Sequence, residues 1–287
     1  MFISIYKVIK IFFDKLNKHS VGAFAAQAAF FILLAIFPFV SVLLSLIKYT
    51  SMSKDYVFNS INTVIPDILQ PFINTIVDEL YSNRSETAVY ISIILAVWSA
   101  GKGVMAIIYG LNSVYEREEK RNYLLLRLIS GLYIILFLAA ILISLALMVF
   151  GNSFYEMTKK PFPFIYGILT NFIEHKEILT FLVLVLFFLV VYKVVPYKNK
   201  KKYPIQSLIP GACFSAIGWV AVSYFFSIYV KMSTNFSYTY GSLISIIVSM
   251  FWLYFCMYIL FIGAELNIYF NTLFTYLYRH KFKKKEE

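Results

Sequence analysis

AVYISIILAVWSAGKGVMAIIYG, residues 88–110, holds a single charged side chain, Lys102, in an otherwise apolar run. A helix rises about 1.5 Å per residue, so about 20 apolar residues cross the roughly 30 Å hydrocarbon core of a bilayer. This run is long enough to do so. Runs of the same kind occupy 26–47, 128–150, 178–195, 208–230 and 241–267. The run at 178–195 is the shortest, and it spans only if Lys193 snorkels to the interface before Pro196 ends the helix. The fold class expected is therefore all-α: one polytopic membrane helical bundle, 1–287, with six transmembrane helices. The run at 26–47 is too long for a cleaved signal peptide and reads as an uncleaved anchor.

Composition agrees with that reading. Of 287 residues, 60% are hydrophobic and 14% charged, with a mean hydropathy of +0.74. A soluble domain carries about a quarter of its residues as charges, so an ordinary soluble enzyme is excluded. High hydrophobicity excludes disorder. Eleven Gly and two Cys exclude collagen-like and disulfide-scaffold chains.

Orientation follows from the lysines and arginines, which favour cytoplasmic loops. With the N-terminus inside, cytoplasmic segments hold 18 of the 26 basic residues and external segments 7, Lys102 being intramembrane. The inside then carries a formal +11 and the outside −1. This fixes the expectation of N-in/C-in. It also accounts for the pI of 9.4: the basic residues alternate loop by loop, whereas a nucleic-acid footprint gathers on one face. Anionic lipid headgroups are the partners expected, and nucleic acid is not.

Between the spans, 2–18 reads as an interfacial amphipathic helix, with Ile5, Ile9, Phe12, Phe13 and Leu16 opposite Lys7, Lys10 and Lys18. Residues 55–81 repeat apolar positions every 3.6 residues around Pro66 and Pro71, which predicts two short external amphipathic helices. They would serve as a lid or float in the outer leaflet. The loop 151–177 is rich in aromatics and proline and is placed at the interface. Halves 20–150 and 170–270 show no similarity that would establish an inverted repeat.

Chemistry-bearing patterns are few. His19, His175 and His280 lie in loops or at a terminus, which argues against a histidine metal site. Cys213 and Cys256 fall inside spans and read as small buried hydrophobes. There is no P-loop and no nucleophile-elbow motif. No cofactor, metal or catalytic constellation is expected.

Lys102 is the sharpest feature, because a lysine at a helix centre costs about 2.5–3.5 kcal/mol on insertion scales. Trp98, Ser99, Ala106 and Tyr109 share its helix face. It is either a cationic group for an anionic substrate or headgroup, or a snorkelling structural lysine placed in the inner half of its span. Glu265, in the sixth run, falls toward the same side, where pairing with Lys102 would lower the burial cost of each. Its face also carries Tyr254, Tyr258 and Tyr269. The plainer account sets Glu265 at the interface. Gln27, Asn112 and Asn267 complete the polar set near cytoplasmic helix ends, and Tyr240-Gly241-Ser242 opens the sixth run outside. Small residues stripe two helices, Ser99/Gly103/Ala106/Gly110 and Gly211/Ser215/Gly218, as close helix packing requires. That packing would serve a monomer core or a homo-oligomer equally. Pro210 reads as a helix start.

Several stretches read together: Ala25-Ala26-Gln27-Ala28-Ala29-Phe30-Phe31 with Phe37-Pro38, Trp98-Ser99-Ala100-Gly101-Lys102-Gly103, Leu111-Asn112, Val195-Pro196, Ile209-Pro210-Gly211-Ala212, Tyr240-Gly241-Ser242-Leu243, Trp252-Leu253-Tyr254 and Gly263-Ala264-Glu265-Leu266-Asn267. In this order they resemble the YihY/BrkB family of bacterial inner-membrane proteins. The resemblance covers about residues 19–270, in order, with Phe30-Phe31 a mild departure. It implies a six-span, multi-pass protein of the bacterial plasma membrane, with transport or lipid translocation as the role. The family's old ribonuclease label fits poorly, since no catalytic face is present in the sequence. Three readings follow: a transporter or translocase for an anionic lipid or small anion, a lipid-binding envelope scaffold, and, lowest, a membrane-bound nuclease or hydrolase.

Overall fold

The computed structural model describes residues 2–48, 78, 86–135, 176–197, 203–232 and 237–283. These form seven helices: α1 (Phe2–Lys18), α2 (Val21–Lys48), α3 (Glu86–Val114), α4 (Tyr123–Ile135), α5 (Lys176–Val194), α6 (Ile205–Met232) and α7 (Ser237–Lys283). Each of the six apolar runs begins within a helix. Four of these helices, α2, α3, α6 and α7, overrun the predicted limits at both ends, whereas α5 ends at Val194, one residue short. Among the described residues three helices are long and apolar enough to cross a membrane, over Tyr90–Val114, Ile205–Tyr229 and Ile246–Thr272. The α1–α2 pair makes a fourth if counted as one bent span, and the apolar parts of α4 and α5 are shorter. The predicted helices of 55–81 and the loop 151–177 lie outside the described residues, apart from Asp78 and from Lys176 and Glu177, which are helical and begin α5.

α1 meets α2 at a 53° bend. Ser20 makes the corner with φ of 52°, a left-handed conformation that short polar residues tolerate. The α1 backbone closes onto it through His19 N–H to Lys15 C=O at 2.9 Å and Ser20 N–H to Asn17 C=O at 2.9 Å. Leu16 turns inward while Ile11 and Phe13 stay exposed.

α2 lies along α3, α6 along α7 and α5 along α6, with α7 also against α2. The core holds Ala25 and Ala28 of α2, Ala106 and Leu111 of α3, and Phe261 and Ala264 of α7. Both small-residue stripes act as seams. A side chain at Gly103 would meet Ile32 of α2, and one at Gly110 would meet Phe261 and Phe24. On α6, Gly211 faces the Gly263 carbonyl and Asn267, and Gly218 faces Ile259. Pro210 lies inside α6 and does not start it. The helix begins five residues earlier, where the Ser207 hydroxyl and N–H both bond the Pro204 carbonyl. The outer surface is apolar: Ile94, Leu128, Leu182, Ile217 and Phe225 are all exposed. Apolar exposure on this scale is a surface for lipid or protein, not water.

Candidate functional site

Two polar assemblies stand out. The first lies where the α1–α2 corner, the end of α3, the 115–122 loop and the start of α6 meet α7. Glu265 is fully buried there. Its Oε2 is 3.0 Å from His19 Nδ1, and its Oε1 is 3.8 Å from Lys15 Nζ. His19 is brought in by the Ser20 corner and held by its own carbonyl, which accepts from the Ser113 hydroxyl at 3.0 Å. On its far side, Nε2 lies 3.7 Å from Glu116 Oε1, which also pairs with Lys18 at 3.1 Å. The hydrogen bond from Lys18 holds the Glu116 carboxyl below its ordinary range.

Two residues on from Glu265, buried Asn267 stitches three elements. Its Oδ1 accepts from Gly211 N–H at 2.9 Å, and its Nδ2 donates to the Tyr115 hydroxyl at 3.3 Å. Burial pushes the Tyr115 hydroxyl well above its ordinary value, so it stays neutral. Arg117 lies 5.2 and 5.3 Å from the Tyr115 and Tyr203 rings and donates to the Tyr197 carbonyl at 2.7 Å. Asn112, in the last turn of α3, accepts from Tyr197 N–H and donates to Glu119, both at 2.7 Å. Burial opposes the Glu119 charge, but hydrogen bonds from Arg121 and Asn112 outweigh it and hold the carboxyl low.

That use of both amide ends gives a test. Asn112→Asp removes the donor and sets a second carboxylate beside Glu119. A loss of about 1–3 kcal/mol is expected at neutral pH, shrinking in acid as one carboxyl takes a proton. Thermal unfolding of the purified chain against pH reads it.

The second assembly surrounds Trp98. The Lys102 ammonium stands 4.1 Å from its ring centroid and 5.1 Å from that of Phe31 on α2. Arg127 of α4 lies 5.7 Å from the same Trp98 ring, and its guanidinium donates to the Trp98 carbonyl at 2.7 Å. Lys102 is the midpoint of the apolar segment Tyr90–Val114. Both cations are half-buried, and Trp98 is 45% exposed. Among the described residues neither cation has a carboxylate in ion-pair range.

The sequence-predicted residues are thus divided. Glu265, Asn112 and Asn267 join the first assembly, and Lys102 and Trp98 the second. Glu265 takes His19 and Lys15 as partners and not Lys102. Ser99 is buried, and Tyr109 packs on the Met105–Ile108–Leu126 cluster. Tyr258 stacks near Tyr254 at 5.8 Å, and Gln27 is exposed on α2. Sequence reasoning missed His19, Tyr115 and Arg127. The one available signal was that buried Glu265 requires a cationic partner, and His19 opens the first span.

Long apolar helices closed by small-residue seams, with lipid-type outer faces, define a helical membrane protein. The chain belongs to the BrkB/YihY family: the family model described as Virulence factor BrkB matches residues 12–287. It is 34% identical over 263 residues to the ribonuclease-like protein YfkH of Bacillus subtilis (strain 168), covering 90% of this chain and 93% of that one. A UPF0761 membrane protein of Kangiella koreensis is 28% identical over 259 residues, covering 89% of this chain and 62% of that longer relative. A UPF0761 membrane protein of Vibrio vulnificus (strain YJ016) is 24% identical over 268 residues, with 90% and 80% covered. No solved structure matches.

Proposed function

We propose that this chain is a six-span, N-in/C-in protein of the bacterial plasma membrane that binds and moves an anionic lipid or small anion. The observation that carries this is that Lys102, at mid-span, shares the Trp98 ring with Arg127 of α4, neither cation having a described carboxylate. A cation at that depth is costly unless a counter-charge reaches it. A phosphate-bearing headgroup would supply that charge, with its chains against the apolar faces of α3 and α4. The loop-by-loop distribution of Lys and Arg supports the orientation. The reading involves no catalytic step, no nucleic acid and no cofactor.

The test is reconstitution of the purified chain into vesicles holding a labelled anionic lipid. Charge-assisted contacts are worth about 1.5–3 kcal/mol, so Lys102→Ala and Arg127→Ala should each slow movement by about ten- to a hundredfold. Melting temperatures in detergent should stay close to that of the parent. Undiminished movement in Lys102→Ala would sink the reading. Lipid binding with no movement in the parent would favour the second reading, a lipid-binding scaffold, which the close α6–α7 seam supports.

A further inference from the structure

The first assembly carries an inference beyond the anion-site reading and independent of it. We infer that His19, Glu265 and Glu116 form a proton-binding relay, in which the imidazole passes a proton between the exposed Glu116 and the buried Glu265. The geometry is a line of three groups. Glu116 Oε1 lies 3.7 Å from His19 Nε2, and His19 Nδ1 lies 3.0 Å from Glu265 Oε2. Glu116 is 65% exposed, His19 6% and Glu265 not at all. The line therefore runs from water to the interior.

Two buried polar atoms on this line, His19 Nε2 and Glu265 Oε1, have no hydrogen-bond partner among the described residues. Unpaired buried polar atoms are costly and rare in folded chains. A doubly protonated ring donates from Nδ1 to Glu265 and, with a small rotation, from Nε2 to Glu116, which gives Nε2 its partner, while Oε1 faces the Lys15 ammonium at 3.8 Å.

The step balances. A proton arriving at Nε2 makes the imidazolium. The Nδ1 proton then moves to Glu265 Oε2, leaving a neutral ring with its proton on Nε2 and a neutral carboxylic acid. Net transfer is one proton from the solvent side to Glu265. The charged and titratable groups facing the line are Lys15 and Lys18 on α1 and Tyr115 and Arg117 after α3. Tyr203 ahead of α6 acts on it, and Tyr269 of α7 lies 4.5 Å beneath the Lys15 ammonium. When Glu265 is neutral, Lys15 loses its counter-ion. The α1–α2 corner is then freed from its charge contact with α7.

The experiment uses the full chain in lipid nanodiscs, ¹⁵N-labelled at its three histidines, with His19→Gln assigning the signals. The relay requires His19 to carry protons on both ring nitrogens in part of the range from pH 5 to 8. An adjacent opposite charge shifts such an equilibrium by at least about tenfold, so the ratio of doubly to singly protonated ring at a given pH should fall by about that much in Glu265→Gln. Infrared difference spectra on acidification should show a protonated-carboxyl band that Glu265→Gln removes and His19→Gln delays. Should Glu265→Gln fail to fold, Glu116→Gln at the surface should delay the same band without lowering the melting temperature. A His19 ring that stays neutral from pH 5 to 8, or a carboxyl band that none of the variants changes, overturns the relay.

Discussion

Glu265→Ala is expected to cost about 3–5 kcal/mol, the range for removing one partner of a buried ion pair. Glu265 is fully buried, with His19 at 3.0 Å and Lys15 at 3.8 Å. Truncation leaves the buried imidazole without its carboxylate partner, and a void where the carboxylate stood. Glu265→Gln keeps the volume and an acceptor, so its loss should be smaller. The coupling is testable with His19→Ala. Two residues in one network do not add, so the double variant should lose less than the two single losses together. Thermal unfolding of the purified protein measures all four variants. A Glu265→Ala chain that melts with the parent would show that the pair contributes nothing to stability.

Gly263→Ala is the second large effect. Its new methyl would collide with the Ser215 hydroxyl, the Tyr192 hydroxyl and the Gly211 carbonyl. The two hydroxyls are themselves bonded at 2.6 Å, and Tyr192 donates to the Leu260 carbonyl at 2.8 Å. None of these atoms is the free end of a flexible side chain, so α6 and α7 must separate. Overpacking of this kind costs about 1–3 kcal/mol and sometimes more. Loss of Tyr192 and Ser215 hydrogen bonds adds to it. Gly211→Ala should behave alike, since its methyl would strike the Gly263 carbonyl and the Asn267 amide. Gly131 is the internal control. A methyl there meets nothing within 4 Å, so Gly131→Ala should be neutral or stabilising by about 0.5–1 kcal/mol through helix propensity. Membrane-inserted yield and melting temperature of the three variants decide the matter.

The helices were legible because hydropathy and 3.6-residue spacing report directly on one element at a time. The α1 amphipathic face, the apolar runs and both small-residue stripes were readable in that way. So was the peculiarity of Lys102 and Glu265, because a charge inside an apolar run needs no neighbour to be noticed. Partner choice was not legible. Glu265 and His19 are 246 positions apart, and periodicity within α7 carries no information about a residue at the α1–α2 corner. His19 itself looked like a loop residue, since its burial depends on the left-handed turn at Ser20. Tyr115 and Arg127 resembled ordinary interface residues of a basic loop. Only the return of α4 alongside α3 brings Arg127 to Trp98. Pro210 misled for a local reason, as Pro204 and Ser207 had already begun the helix.

The separation between His19 and Glu265 also has a meaning in the order of synthesis. Chains emerge from the ribosome N-terminus first, and early segments begin to organise before later ones exist. The α1–α2 corner is thus made early and waits, its imidazole without a carboxylate partner on α7, while α3 to α6 are translated. Asn267, which joins Gly211 to Tyr115, arrives two residues after Glu265. α7, translated after these elements, therefore closes the polar interior in one short stretch. A nascent chain stopped before residue 265 would hold most of its apolar segments but lack the keystone that joins the α1–α2 corner to α7.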